Sequence, residues 1–206
     1  MLTLPIAQSL PPEGAFPASG SVTRTLILGG ARSGKSAEAE QRLTLLTDPS
    51  QDEGSAIYVA TGGRRDGDAE WAERVSHHQA RRPRSWQTVE TTDVAGLLRE
   101  ADRPVLVDCL TLWLTAAMDE AGAWDDAAWH AGGQDALAER FDELVAAWRA
   151  ARVPVLAVSN EVGLGIVPES AAVRRFRDEQ GRLNQRIAAA SDAVVLMVAG
   201  LAVSVR

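Results

Sequence analysis

Eight residues, Gly29 to Ser36 (GGARSGKS), constrain this chain more than any others. They fit G-x-x-x-x-G-K-[ST], a loop whose backbone N–H groups form a concave nest for phosphate, backed by the positive end of the next helix. Such a loop works only between a strand and a helix, and the flanks supply both. Thr25-Leu26-Ile27-Leu28 is a short apolar run with β-branched members, as a buried strand requires. Ala37 to Leu46 sets Ala39, Leu43 and Leu46 on one helical face. A Gly-rich string can match by chance, and this context argues against it. Lys35 is the only lysine; every other long cation is arginine. A slender ammonium can reach over the loop to β- and γ-phosphate oxygens where a planar guanidinium is too wide. Ser36 would place its hydroxyl on Mg²⁺.

Further apolar runs alternate with helical segments. Strands are expected at Ala56–Ala60, Trp86–Glu90, Val105–Val107 and Val155–Val158, with a closing antiparallel hairpin from Ala193–Val198 and Leu201–Val205. Helices are expected near 69–80, 94–100, 110–120, 135–152 and 171–190, with 121–133 irregular and 51–54 a polar turn. Continuous apolar strands alternating with helices imply a mostly parallel α/β sheet covered on both faces, with ligands at the carboxyl ends of the strands. The loop at Gly29, Thr61, Asp108 and Asn160 all fall at such ends.

Length and charge narrow the classes. The 206 residues suit one domain with a sizeable core. A net charge of −7 gives no global sign of nucleic acid or an anionic membrane, and no apolar run is long enough to span a bilayer. The single cysteine, Cys109, rules out an internal disulfide and fits a reducing cytosol, where it would pack as a small hydrophobe. Residues 1–22 hold several Pro, Gly and Ser and no Lys or Arg, which reads as a flexible extension ahead of a single domain from 23 to 206.

Individual residues carry competing readings. Asp108, ending an apolar strand, could hold Mg²⁺ with Ser36 or cap the next helix. His77 and His78 lie in RVSHHQARRP among arginines, which depress an imidazole pKa and keep a ring nitrogen free as nucleophile or base; a solvated helix face with incidental histidines is equally open. Arg81, Arg82 and Arg84 could grip phosphate oxygens. Glu90, a strand-end carboxylate, could hydrogen-bond a base or ribose, though such a carboxylate is usually just solvated. Ser159 to Pro168 (SNEVGLGIVP) is a Gly-bearing loop at a strand end. On the long helix, Arg174, Arg175, Arg177, Asp178, Arg182, Asn184 and Arg186 read mostly as solvated surface, though some could line a phosphate-rich cleft. The six Trp read as core or interface filler, and His130 has no role.

Together, GGARSGKS, YVATGG, ERVSHHQARRPRSWQTVE, VLVDCLTLWLT, VSNEVGLGIVPES, RRFRDEQGRLNQRIA and VVLMVAGLAVSV resemble, in order over about residues 24–206, the bifunctional adenosylcobinamide kinase and adenosylcobinamide-phosphate guanylyltransferase family of cobalamin biosynthesis. That resemblance implies a RecA-like P-loop fold and a homotrimer. It implies phosphorylation of adenosylcobinamide by a nucleoside triphosphate, ATP or GTP. GMP transfer from GTP then passes through a GMP-histidine and gives adenosylcobinamide-GDP and pyrophosphate. Carried over residue by residue, Gly29, Gly30, Ala31, Arg32, Ser33, Gly34, Lys35 and Ser36 are the triphosphate loop. Ala60, Thr61 and Gly62 form a second nucleotide-contact strand end, and Glu90 and Asp108 are acidic positions touching GTP. The pattern R-[IV]-x-x-H-x-x-x-R-P makes His78 the guanylylated residue, with His77 as second choice and Gln79, Ala80, Arg81 and Arg82 beside it. Mg²⁺ would rest on Ser36 and Asp108. The rival within the same fold is a small-molecule kinase without guanylyl transfer. A GTP-switch protein is disfavoured, because the N-K-x-D guanine motif needs a second lysine.

Overall fold

A computed structural model of the chain describes residues 23–47, 54–63, 67, 73, 76 and 82–206. Seven strands form one sheet: β1 (Arg24–Gly29), β2 (Ala56–Ala60), β3 (Trp86–Glu90), β4 (Val105–Asp108), β5 (Val155–Asn160), β6 (Ala193–Val198) and β7 (Leu201–Ser204), in the order β3-β2-β4-β5-β1-β6-β7. All pairings are parallel except β6 with β7, which is the antiparallel edge expected from the sequence.

The helices are α1 (Lys35–Leu45), α2 (Val94–Glu100), α3 (Leu110–Glu120), a single turn α4 (Asp126–Ala128), α5 (Gln134–Ala150) and α6 (Ala171–Ala189). Period-two alternation divides the strand side chains between two faces. Leu26, Val59, Val107 and Ala157 join a large core with Leu98 of α2, Leu114 of α3, Leu144 and Trp148 of α5 and Leu183 of α6. Ile27, Tyr58, Leu106 and Val158 pack on the other face against Ala39 and Leu43 of α1. Both faces are therefore covered, as continuous apolar strands demand.

Two expectations need correction. First, residues 121–133 are not irregular throughout. Asp125 caps α4 by accepting from the Ala128 amide at 2.8 Å, and Trp129–Gly133 continues into α5 across a kink at Gly132, whose φ of 125° is not helical. Second, α1 starts at Lys35 rather than Ala37. Gly34 supplies the N-cap backbone with φ 97°, a left-handed conformation that favours glycine. Among the described tryptophans, Trp86, Trp113, Trp129 and Trp148 are buried and Trp124 is exposed. No helix among the described residues is long and apolar enough to cross a membrane. The extension 1–22, most of the expected helix 69–80 and residues 51–53 lie outside the described residues.

β1 is clamped at its start. The Arg24 guanidinium donates to both Asp192 carboxylate oxygens, at 2.9 and 3.0 Å, and to the Arg149 carbonyl at 2.8 Å. This joins β1 to the end of α5 and to the entry of β6.

Candidate functional site

Gly29 leaves β1 under close confinement. A Cβ there would stand 2.5 Å from Ser33 Oγ and 2.8 Å from the Met197 carbonyl oxygen, so only glycine fits without something moving. The loop then turns through Arg32 at φ 56° and closes with the Ser33 amide on the Gly30 carbonyl at 3.3 Å. No side chain caps α1. The first-turn amides of a helix have no intrahelical acceptor, so this end is a ready anion site. Ser33 Oγ is buried without a hydrogen-bond partner among the described residues, and Lys35 is buried, donating from Nζ to the Gly30 carbonyl at 2.8 Å. The β6–β7 turn braces the loop from below. Ala199 and Gly200 have φ 51° and 83°, and the Gly200 amide donates to the Ser33 carbonyl at 3.0 Å.

Asp108 ends β4 two strands from Gly29, with β5 between, a lateral distance of about 10 Å. It does not cap α3, whose N-cap is Cys109 without a side-chain cap bond. Its carboxylate instead accepts the Tyr58 hydroxyl at 2.6 Å, and the Arg82 guanidinium carbon sits 3.3 Å from the Tyr58 ring centroid. Burial, then the Asp108 charge, raises the Tyr58 pKa, so the phenol remains a donor. Arg82 also reaches Thr88 Oγ1 at 3.4 Å, while its Nε is buried without a partner among the described residues.

Thr61 is almost fully buried. Its hydroxyl accepts from the Cys109 amide at 3.0 Å and donates to the Cys109 carbonyl at 2.7 Å, pinning the segment after Asp108. Burial and the Asp108 charge push the Cys109 thiol up to about 11, as fits an inert packed residue. Ala60 and Gly62 are half-buried beside Thr61.

The structure thus brings the Gly29–Ser36 loop, Ala60–Gly62, Asp108 and Asn160 to one sheet edge. It does not bring Glu90 to the loop. Glu90 ends β3, exposed on the outer strand, four inter-strand spacings or about 19 Å from Gly29. His77, His78, Gln79, Ala80 and Arg81 lie outside the described residues.

The arginine-rich α6 also differs from its sequence reading. Asn184 is buried rather than solvated. Its Nδ2 donates to the Asn160 carbonyl at 3.0 Å, and its Oδ1 accepts from Ser159 Oγ at 2.6 Å and Gln180 Nε2 at 3.0 Å. Arg175 packs over the Trp129 ring at 4.9 Å, and Arg177 donates to the Gly163 and Gly165 carbonyls at 2.6 and 3.1 Å. The one signal for the polar cluster was the four-residue spacing of Gln180 and Asn184, which puts both on one helical face.

For Mg²⁺, the Ser36 hydroxyl and Asp108 carboxylate are hard oxygen donors of the right kind. No group of three or more His, Cys, Asp or Glu able to hold a metal occurs among the described residues, so phosphate and water oxygens would complete such a shell.

Comparison with known proteins decides the family. The pattern of the cobinamide kinase / cobinamide phosphate guanyltransferase family matches residues 25–205. The chain belongs to this family. Its relatives include the bifunctional adenosylcobalamin biosynthesis protein CobU of Escherichia coli (strain K12), 40% identical over 187 residues, which are 88% of this chain and 98% of that protein. The protein CobP of Pseudomonas aeruginosa, of the same description, is 43% identical over 183 residues, 86% of this chain and 94% of that protein. Among solved structures, a prototypical ATPase from the type III secretion system of pathogenic bacteria superposes with a TM-score of 0.54 at 15% identity, over 88% of this chain and 56% of that one. That likeness bears on the fold alone and agrees with an α/β P-loop NTPase.

Proposed function

We propose that the chain phosphorylates adenosylcobinamide with a nucleoside triphosphate and then transfers GMP from GTP to the product. The observation that carries this reading is the phosphate loop at the sheet edge, with Lys35 buried inside it, in a chain that matches the family from 25 to 205. In the kinase step the substrate hydroxyl oxygen attacks the γ-phosphorus. The bond to the β-phosphate oxygen breaks, and the hydroxyl proton is released. In the second step a ring nitrogen of His78 attacks the α-phosphorus of GTP, forming a P–N bond as pyrophosphate leaves. An oxygen of adenosylcobinamide phosphate then attacks the same phosphorus and frees the histidine.

Lys35 and the loop amides neutralise charge on the phosphate oxygens in both steps. A bound phosphate competes with the Gly30 carbonyl for the Lys35 ammonium. Ser36 and Asp108 hold Mg²⁺, which when bound supplies charge neutralisation at the phosphates. Ala60, Thr61 and Gly62 shape the adjoining strand end, where Thr61 is a brace for Asp108. Glu90 serves the far, nucleoside end of the ligand, with Gln79, Ala80, Arg81 and Arg82 near the histidine. Residues 23–206 act as one domain with 1–22 as an extension, in the cytoplasm. Assembly into a trimer suits the exposed Leu201, Val203 and Val205 of the hairpin and Leu164 and Ile166 of the loop after β5.

The test is His78→Ala beside His77→Ala. His78→Ala is expected to lose GMP transfer and the alkali-stable, acid-labile label from α-labelled GTP, while phosphorylation persists and His77→Ala keeps both. GMP transfer surviving in His78→Ala would point to the neighbouring histidine, whereas phosphorylation with no GMP transfer in the wild type would favour the kinase-only alternative.

A further inference from the structure

We propose that the carboxamide of Asn160 contacts the terminal phosphate of the bound nucleoside triphosphate and distinguishes it from a diphosphate. This rests on the reading that the Gly29–Ser36 loop binds that nucleotide. Strand register supplies the position. β5 lies between the strand that feeds the loop and the strand that carries Asp108. Asn160 is the Cα partner of Gly29, and Asp108 is the Cα partner of Val158.

Alternation supplies the face. Leu156 and Val158 pack in the cluster with α1, so Asn160, two residues past Val158, is directed to that same side. Asp108 stands there too, two residues past Leu106 of that cluster. Lys35 and Ser36 open α1 over this face. A triphosphate held by Lys35 at one end and drawn toward Asp108 at the other passes beside Asn160.

The backbone of Asn160 is fixed, and its side chain is not. The Asn160 amide donates to Thr111 Oγ1 at 3.0 Å, its carbonyl accepts from Asn184 at 3.0 Å, and the next amide, of Glu161, donates to the Gly29 carbonyl at 3.1 Å. The carboxamide itself is half-buried and has no hydrogen-bond partner among the described residues. A rigid main chain holding an uncommitted amide at a ligand edge is preorganised for an anion: its N–H₂ donates to a phosphate oxygen without bringing a second charge beside Lys35. An aspartate at this place would repel the same oxygens.

The experiment titrates wild type, Asn160→Ala, Asn160→Asp and Lys35→Ala with fluorescently labelled GTP and GDP, and follows phosphorylation of adenosylcobinamide. Asn160→Ala keeps every backbone bond named above, so its melting temperature should stay within about 2 °C of wild type. Its affinity for GTP should fall about ten- to a hundredfold, the usual effect of deleting a hydrogen bond to a charged group, while that for GDP holds within about twofold. The rate constant of phosphorylation should fall with KM for adenosylcobinamide unmoved, and Asn160→Asp should be worse than Asn160→Ala. An unchanged GTP-to-GDP ratio in Asn160→Ala, beside weakened binding in Lys35→Ala, overturns the role of Asn160 alone. Unchanged binding in Lys35→Ala overturns the loop reading, and this inference with it.

Discussion

Replacing Asn184 by leucine tests the buried polar cluster behind β5. The change keeps the number and branching of side-chain heavy atoms and removes three hydrogen bonds: Nδ2 to the Asn160 carbonyl, and Oδ1 from Ser159 and from Gln180. At about 1 kcal/mol net for each, the gross loss is about 3 kcal/mol. Some of it can return. Gln180 Nε2 keeps Ser159 Oγ as acceptor at 3.0 Å, or a flipped amide lets Oε1, unpartnered among the described residues, accept the Ser159 proton instead. That leaves a net cost of about 2–3 kcal/mol, mostly from the orphaned Asn160 carbonyl. Urea denaturation should show it as a lower midpoint at constant m, and melting should drop by about 4–12 °C for a chain of this size. The triple variant Ser159→Ala, Gln180→Leu, Asn184→Leu orphans only that carbonyl and should be no less stable than the single one. A single variant within about 0.5 kcal/mol of wild type, or a triple whose losses add, would refute the reasoning.

Two further outcomes follow from charge and burial. The Cys109 thiol, pushed up to about 11 by burial and Asp108, should resist iodoacetamide in the folded protein at pH 8 and react fully in urea; equal rates in the two states would contradict the packing. Asp192 is held below the ordinary carboxylate range by its hydrogen bonds from Arg24. A depressed folded pKa stabilises above the unfolded value, near 4, and the benefit is lost as pH falls through the folded value. Asp192→Asn should therefore melt about 1–4 °C lower at pH 7, a modest figure because the carboxylate is 43% exposed, with the gap closing under acid. A gap that widened below pH 4 would count against the Arg24 pair.

Strand positions were legible because each buried strand is a continuous apolar run, and such runs have few other uses. β1, β2 and β5 fall where Leu26, Val59 and Val158 place them. The start of α1 was read two residues late because Lys35 and Ser36 are polar and carry no periodicity. Only the left-handed Gly34 shows where the helix begins. Residues 121–133 gave no signal because Gly122, Gly132 and Gly133 interrupt any pattern, while the cap from Asp125 works through a local backbone contact. Asn184 was misread because its polarity is satisfied by Ser159 and Asn160, partners far away in sequence. For the same reason nothing local announced that Glu90 would stand on the outer strand, since strand order depends on crossovers rather than on any one segment. The loop and Asp108 were legible, while the Tyr58 hydroxyl that accompanies Asp108 was hidden in an apolar run.

The neighbours of β1 on both sides come from far downstream, residues 155–160 and 193–198. A ribosome has therefore read the phosphate-binding motif long before the chain can close around it. Until those later segments emerge, β1 is an apolar ribbon with both edges open, vulnerable to pairing with the wrong molecule. Competence to grip a nucleotide is thus a late event of synthesis, and a chain arrested before residue 193 would carry the complete motif without its function.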